Sequence, residues 1–452
     1  MNNQLRIDSL NVKNYRCFKS LETPIQFHPQ LTVLVARNGE GKTAFLDAVR
    51  IALGTFTSSF PITTYAHFHT SDVHIATLRE NPSLGATYPV SLEAAATIDG
   101  KQISWARALQ KAKGRTTKAR ALSQYGEFLR KKIEADENNV SLPIIAFYGT
   151  GRLWAEHRDM TDGSISPLAE SRFAGYDNAL SARSTYKQVK NWLLEAIQME
   201  DSKESSNTQT GQFVASQLKA IKKALSNVLC VEGVDSMHYN RFYKDDITVI
   251  CKNGNTSQDI ATALPVSWLS DGLRAVFSMV ADIAYRCVKL NPHLGENACI
   301  ETNGIVLIDE VDIFLHPSWQ QRIIGDLQRT FPNIQFIVTT HSPQVVSSVP
   351  SESIRVIAEG KVLNASIKTD GARAEQILCD IFGVEARYAN SEVAKNLAEY
   401  QLLINQDQWD SERGKELWIK LQDMLSTDPV LAKLAMRVHL KEYQRAQNEK
   451  NQ

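Results

Sequence analysis

The chain has no excess of either charge: 50 Lys and Arg residues balance 50 Asp and Glu residues over 452 positions. Attraction of the whole molecule to nucleic acid or to an anionic membrane is thereby excluded, and any basic site must be local. No apolar run approaches the roughly 18–20 residues that a membrane helix needs, which excludes a membrane-spanning chain. The six cysteines show no CxxC or CxxH spacing, which argues against a zinc knuckle or a disulfide framework. The opening MNNQLRIDSLNVKNY lacks the basic-then-apolar order of a secretory signal, so the expected location is the reducing cytoplasm. Internal repeats and low-complexity tracts are also missing. The length, by contrast, is enough for two to four domains of about 100–200 residues each.

Strand character runs from Leu5 to Val12, from Ile25 to Phe27 and through the compact apolar run Leu31 to Val35, with a helix starting near Gly41. Alternation from Pro89 to Leu109 around Asp99-Gly100 predicts an antiparallel hairpin, because both central residues of a type I′ turn need positive φ. An apolar strand from Leu142 to Tyr148 ends in Gly149-Thr150-Gly151-Arg152. Helical spacing from Ser181 to Leu229, interrupted by the polar stretch 201–212, predicts a helical hairpin. Strand signals at 247–251, 304–308, 333–338 and 353–358 alternate with helices at 271–290 and 318–330, which implies a parallel sheet with crossover helices. Beyond about 370 the pattern is helical: 374–382 closed by Gly383, then segments near 391–405, 411–425 and 430–446.

Ala36-Arg37-Asn38-Gly39-Glu40-Gly41-Lys42-Thr43 comes after a buried strand and opens a helix, the context of a phosphate-binding P-loop. Glycines let backbone N–H groups turn toward phosphate, Lys42 places a point charge on the β and γ oxygens, and Thr43 offers a hydroxyl to Mg2+. The motif ordinarily begins with Gly. Ala36 matters only if that position needs positive φ. Gly304 to Ile308 with Asp309-Glu310 is a strand delivering two acids at its C-terminal edge, where open α/β sheets bind ligands. Asp309 is expected to hold Mg2+ through water and Glu310 to act as general base on the attacking water.

Leu269-Ser270-Asp271-Gly272 precedes these acids, and Asp312 and Thr339-Thr340-His341-Ser342-Pro343 come after them. This ordered set resembles the ATP-binding-cassette ATPases of the soluble branch that includes the SMC, Rad50, RecF and OLD proteins. The resemblance implies an α/β fold: an ABC-type P-loop ATPase head with a mixed and parallel sheet, an antiparallel β lobe, a short helical insertion and a C-terminal helical tail. The chain then divides into four segments: 1–155 carrying the P-loop, a helical insertion over 156–230, a second ATPase lobe over 231–369 and the tail over 370–452. The resemblance also implies ATP and Mg2+ as cofactors, Ser270 and Gly272 as signature motif, Asp312 as D-loop and His341 as switch histidine. The signature serine of one subunit would then face ATP on Lys42 of a second, making a homodimer or higher homo-oligomer. Asn14-Tyr15-Arg16-Cys17-Phe18 resembles the family's N-F-R element, leaving Arg16 as a nucleotide contact or a surface arginine. The family's Q-loop glutamine has no counterpart; Gly149 to Arg152 occupies its neighbourhood.

No sustained heptads occur, which excludes the long arms of SMC and Rad50. The residues after His341 contain no D-x-D pair of a Toprim domain, and no H-N-H signature occurs, so no nuclease site is visible. The phrase Phe147 to Trp154 and the tail from Ala374 to Val384 resemble the PtuA-type ATPase subunits of the Septu anti-phage system, also found in some retron operons beside a PtuB-like HNH-nuclease subunit. This resemblance implies an ATPase that regulates a separate nuclease, docked on the tail after Thr369 or on the insert at 181–229. The alternative is a RecF-like genome-maintenance ATPase that binds DNA itself. Lys101 to Lys132 is a basic segment able to contact phosphates or to form a solvated face. His67, His69, Asp72 and His74 are read as surface or interface residues before a metal set. The tail aromatics Tyr400, Trp409, Trp418 and Tyr443 are read as packing against the head before a partner groove.

Overall fold

The computed structural model describes residues 4–62, 66–78, 81–112, 114, 116–117, 119–135, 139–152, 171–181, 186–201, 209–229, 234–239, 246–252, 261–385 and 387–450. Leu153 and Trp154, most of the polar stretch 201–212, residues 156–170 and Lys113, Arg115 and Lys118 of the basic segment lie outside these. In chain order the first half holds β1 (Leu5–Tyr15), β2 (Phe18–Ser20), β3 (Ile25–Gln26), β4 (Leu31–Ala36), α1 (Lys42–Thr57), β5 (Ile75–Leu78), β6 (Asn81–Ala86), β7 (Val90–Ile98), β8 (Lys101–Leu109), α2 (Arg120–Glu134), β9 (Ile144–Tyr148), α3 (Tyr186–Asp201) and α4 (Gln209–Leu229). The second half holds β10 (Val234–Tyr239), β11 (Ile247–Lys252), β12 (Ala261–Pro265), α5 (Asp271–Leu290), α6 (Ala298–Glu301), β13 (Gly304–Ile308), α7 (Pro317–Gln320), α8 (Ile323–Thr330), β14 (Ile334–Thr339), α9 (Pro343–Val346), β15 (Ile354–Ala358) and β16 (Lys361–Asn364). Beyond β16 come α10 (Ala374–Asp380), α11 (Glu392–Asn405), α12 (Glu412–Leu425) and α13 (Pro429–Lys450).

The central sheet has the order β16-β15-β4-β14-β13-β9 and is parallel except at β16. Every residue of β4, β9, β13 and β14 is buried. Such near-continuous apolar runs are what a sheet covered on both faces requires. A second, antiparallel sheet runs β2-β1-β7-β8, with β3 also on β1, and the β7–β8 turn places Asp99 and Gly100 at φ 47° and 79°. Helix α1 contacts β4, β9 and β14 of one sheet and β7 of the other, which is why most of its residues are buried, Thr43, Asp47 and Arg50 excepted. Gln335 on β14 joins the two sheets: its side-chain oxygen accepts the Ile7 N–H at 3.0 Å, and its amide donates to the Ile7 and His28 carbonyls at 2.8 and 3.0 Å.

Two local expectations change, and the helical hairpin gains a packing partner. The strand at 247–251 belongs to a separate antiparallel sheet, β10-β11-β12, because hairpin partners flank it on both sides. The helix expected over 318–330 is two pieces, α7 and α8, separated by a two-residue turn at Gln321 and Arg322. In the helical hairpin α4 packs along α5, with Leu218, Ile221, Leu225 and Val228 buried and the Gln217 amide on the Val288 carbonyl.

The chain divides into two compact units, residues 1–377 and 378–452. The division falls inside α10, later than the composition change near 370, because Thr369 is buried with its hydroxyl on the Val349 carbonyl and the Gly371 N–H bonds the Ser347 carbonyl. The second unit has its own core of Leu397, Tyr400, Ile404, Trp409, Leu417, Leu421 and Leu434. Tyr400 stacks on Trp418 at 5.4 Å, so these tail aromatics pack within their own helices. Tyr443 is exposed. Ser391 and Ser411 accept backbone N–H groups at the starts of α11 and α12, the capping that satisfies unpaired helix donors. No described helix is long and apolar enough to cross a membrane.

Gln335→Leu keeps the buried volume but leaves three backbone groups between the sheets without partners. A loss of about 2–3 kcal/mol is expected, read as a lower urea midpoint for the unit of residues 1–377. An unchanged midpoint would show that the sheets are held together elsewhere.

Candidate nucleotide site

Strand β4 ends at Ala36, and the chain turns through exposed Arg37, Asn38 and Gly39 before α1 begins. Gly39 and Gly41 have φ of 83° and 100°, whereas Ala36 is not among the positive-φ residues. Alanine therefore fits where the motif ordinarily has glycine. Glu40 braces the turn: its carboxylate accepts the Arg37 N–H at 3.1 Å and its own N–H donates to the Arg37 carbonyl at 3.3 Å. Lys42 is buried and donates to the Ala36 and Arg37 carbonyls at 2.8 and 3.3 Å. Burial lowers its pKa against the opposing pull of Glu310, Asp309, Glu40 and Asp312, so these acids lie within electrostatic reach of the ammonium.

The acids arrive because β13 and β4 both flank β14 in parallel, bringing three strand ends to one edge. Asp309 accepts the Thr43 hydroxyl at 3.0 and 3.2 Å and the Thr339 hydroxyl at 2.6 Å. Its N–H donates to the Tyr148 carbonyl at 2.8 Å. A hydroxyl beside a carboxylate supplies the hard oxygen donors suited to Mg2+. Glu310 sits at φ 47°, with its N–H on the Thr339 hydroxyl at 2.7 Å. Asp312 accepts the Thr340 hydroxyl at 2.6 Å and the His341 N–H at 3.4 Å. Ser342 caps α9 by accepting the Gln344 and Val345 N–H groups, while its hydroxyl donates to Gln320 at 2.6 Å. From sequence, His341 alone within this phrase carries a role. In the fold, Thr339, Thr340 and Gln320 hold the phrase together, and two threonines at a strand end beside paired acids were the available signal.

Ser270 is the exposed N-cap of the 20-residue α5 and accepts the Leu273 N–H at 3.4 Å. A Cβ on Gly272 would lie 2.4 Å from the Phe314 carbonyl oxygen, so the helix start and the turn after Asp312 meet through backbone. A cavity of about 280 Å³ opens between them, lined in part by Ser270, Leu273, Phe314 and Trp319. Asp246 fixes the approach to this helix by bonding the Ser267 hydroxyl and N–H at 2.5 and 3.2 Å and Lys190 of α3 at 3.1 Å.

Arg16 is not a bland surface residue. Its guanidinium pairs with Asp47 on α1 and with the fully buried Asp72, each at 2.8 Å. A Cβ on Gly41 would lie 2.3 Å from the Cys17 sulfur and 2.8 Å from the Phe18 ring, so this element packs directly on the loop. Asp72 also accepts the His69 N–H at 2.8 Å, His74 Nδ1 lies 2.6 Å from the Arg16 carbonyl, and the His67 and His69 rings stand 4.9 Å apart. Among the described residues no three His, Cys, Asp or Glu side chains are grouped to hold a metal. The basic segment is partly structural: Arg107 is buried against the Ile51 and Ala66 carbonyls, and Arg130 donates to the Ser59 carbonyl.

A P-loop after β4 and paired acids after β13, on either side of β14 in one parallel sheet, form a P-loop ATPase head of α/β class, a fold that implies nucleotide binding. A family model described as "AAA domain" matches residues 9–229, and one described as "AAA domain, putative AbiEii toxin, Type IV TA system" matches 167–347. The chain is similar to the Retron Ec83 probable ATPase of Escherichia coli, at 27% identity over 94% of this chain and 85% of the relative. It is similar to the Retron Vc95 probable ATPase of Vibrio cholerae serotype O1 biovar El Tor, at 26% over 92% and 87%. The Septu protein PtuA of Bacillus mycoides (strain KBAB4) matches at 32% over 35% of this chain and 22% of its own length.

Burial holds the pKa of His341 below its ordinary 6.5, and Lys42 lowers it further, against Asp312, Glu310 and Asp309. The imidazole is therefore neutral at pH 7 and acts as a hydrogen-bonding group. Its neutral burial stabilises the fold above about pH 6.5, and that contribution is lost as pH falls through the folded pKa. In proton-resolved NMR titration, Lys42→Ala should raise the His341 pKa and Glu310→Gln should lower it. The opposite order would place His341 outside the field of both groups.

Proposed function

We propose that this chain is the ATP-hydrolysing regulatory subunit of a bacterial anti-phage defence complex in the cytoplasm. Two copies close around ATP, and the closed state controls a separate HNH-type nuclease that performs the cleavage. The observation that carries the reading is the gathering of Lys42, Thr43, Asp309, Glu310 and His341 at one sheet edge, while Ser270 is exposed at the start of its own helix. The similarity to ATPases named for retrons and to the Septu protein PtuA supports the defence setting.

In this reading the loop N–H groups from Asn38 to Thr43 and the Lys42 ammonium hold the β and γ phosphates. Thr43 and Asp309 hold Mg2+, which when bound neutralises charge on the phosphate oxygens. Glu310 takes the proton of the attacking water and His341 donates a hydrogen bond at the γ-phosphate. Ser270, Gly272 and the α5 N–H groups close the site of the other copy, where helix dipole and hydroxyl favour the same negative charge. Asp312 ties the switch phrase to the surface that meets the second copy. Arg16, ion-paired on α1, steadies the loop from outside.

Lys42→Ala should abolish binding of labelled ATP in a folded chain, and Glu310→Gln should bind ATP but lose turnover. A mixed dimer of Lys42→Ala and Ser270→Arg carries both lesions at one site and keeps the other intact. About half the wild-type ATPase rate is expected from it; loss of both sites would contradict the shared arrangement. For the nuclease, removing residues 378–452 should abolish copurification of a co-expressed PtuB-like HNH subunit while ATP hydrolysis persists. Cleavage of DNA or RNA by this purified chain alone would overturn the regulatory reading.

A further inference from the structure

Three residues outside the nucleotide machinery form a buried polar group between the two parts of the site. The Tyr148 hydroxyl, at the end of β9, donates to Asp282 Oδ2 at 2.7 Å, and Arg286 Nε donates to the same oxygen at 2.8 Å. Arg286 Nη1 donates onward to the Gly175 and Asp177 carbonyls at 2.8 and 3.1 Å. The Arg286 and Asp282 side chains are 4% and 5% exposed. Burying an ion pair this completely is costly unless its geometry is well satisfied, and a neighbouring apolar set could fill the same volume. Its polar chemistry therefore serves placement more than stability.

Asp282, Arg286 and Leu290 lie at four-residue spacing on one face of α5. The Leu290 carbonyl accepts Arg172 at 2.9 and 2.7 Å. A Cβ on Gly175 would come within 2.5 Å of the Leu290 side chain, so the 172–177 turn sits hard against the helix. The same segment reaches α1, because Arg50 donates to the Leu180 carbonyl at 3.0 Å, and it reaches β9, because the Phe147 N–H donates to the Ala179 carbonyl at 2.7 Å. Tyr148 then has two separate attachments. Its carbonyl holds the Asp309 N–H at 2.8 Å, and its hydroxyl holds α5.

We infer that Tyr148, Asp282 and Arg286 are positioning residues that set where α5 presents Ser270 relative to the sheet edge carrying Asp309. The inference rests on the proposed composite site. Ser270 lies twelve residues before Asp282, about 18 Å along a helix rising 1.5 Å per residue. A rigid helix carries a displacement at Asp282 to its start, and small misplacements at a reacting centre are expensive in rate. Arg286 extends the same hold to the turn that α1 and β9 share.

Tyr148→Phe deletes the hydroxyl and keeps the ring and the carbonyl, so the attachment of Asp309 survives while that of α5 weakens. Two mixed dimers separate the effects. In the first, Tyr148→Phe and Lys42→Ala are in one chain opposite wild type, and the surviving site uses the altered chain's α5. In the second, Tyr148→Phe faces a Lys42→Ala chain, and the surviving site uses the altered chain's loop with a wild-type α5. Relative to Lys42→Ala opposite wild type, kcat should fall about ten-fold in the first, the worth of one hydrogen bond to a charged group, and stay within about twofold in the second. A fall in both, in neither, or in the second alone overturns the inference, whatever the melting temperature does. If the Lys42→Ala and Ser270→Arg dimer is itself inactive, the composite site fails and the inference falls with it. If that dimer is active and the two Tyr148→Phe dimers behave alike, the positioning role alone is refuted.

Discussion

Parallel pairing of β4, β14 and β13 is the constraint on which the candidate site depends. Three buried strands pointing the same way end at one edge, and each runs into a polar segment: the loop after β4, the acids after β13, the threonines and His341 at the end of β14. The Thr339 hydroxyl draws these ends together by donating to Asp309 and accepting from the Glu310 N–H. Buried polar networks of this kind raise the cost of any displacement, since each lost partner leaves a desolvated group behind. The apolar strands supply the collapse, and the threonines supply the accuracy.

Electrostatics around the loop are divided between two faces of α1. On the side of the loop, Lys42 is held by loop carbonyls among acids that counter the effect of its burial. On the other side, Arg16, Asp47 and Arg50 form a run of ion pairs ending on the Leu180 carbonyl. In the proposed reading, phosphate brings negative charge to a region already rich in carboxylates, and the fixed cations and backbone donors offset that repulsion. Cys17 and Phe18 close the space beside Gly41, so the loop is supported sterically as well as by charge.

The contiguous parts of this design were legible in the sequence. Ala36 to Thr43 and Gly304 to Glu310 are short motifs whose chemistry and strand context coincide, and the Asp99-Gly100 hairpin is dictated by turn geometry alone. What escaped was polar pairing across long separations: Arg16 with Asp72, Lys190 with Asp246, Tyr148 with Asp282. None leaves a periodic trace, because a single buried polar side chain reads like a surface one until its partner is known. The turn at Gln321 and Arg322 escaped because apolar spacing continues through it. Strands β10 and β12 escaped because short hairpins beside a helical insert carry little alternation of their own.

The contact between Gly272 and the Phe314 carbonyl bears on how this chain can vary. Every amino acid other than glycine carries a Cβ, and at this position that atom meets backbone, which cannot rotate away as a side-chain end could. Tolerance at residue 272 is therefore indifferent to charge, size or polarity and depends only on whether the atom exists. At Lys42, by contrast, chemical character decides, and arginine and alanine pose different problems. A saturation library of this chain would thus contain two kinds of intolerant position within one site, one graded by chemistry and one flat, and the flat one marks where two segments of main chain share a single fixed corner.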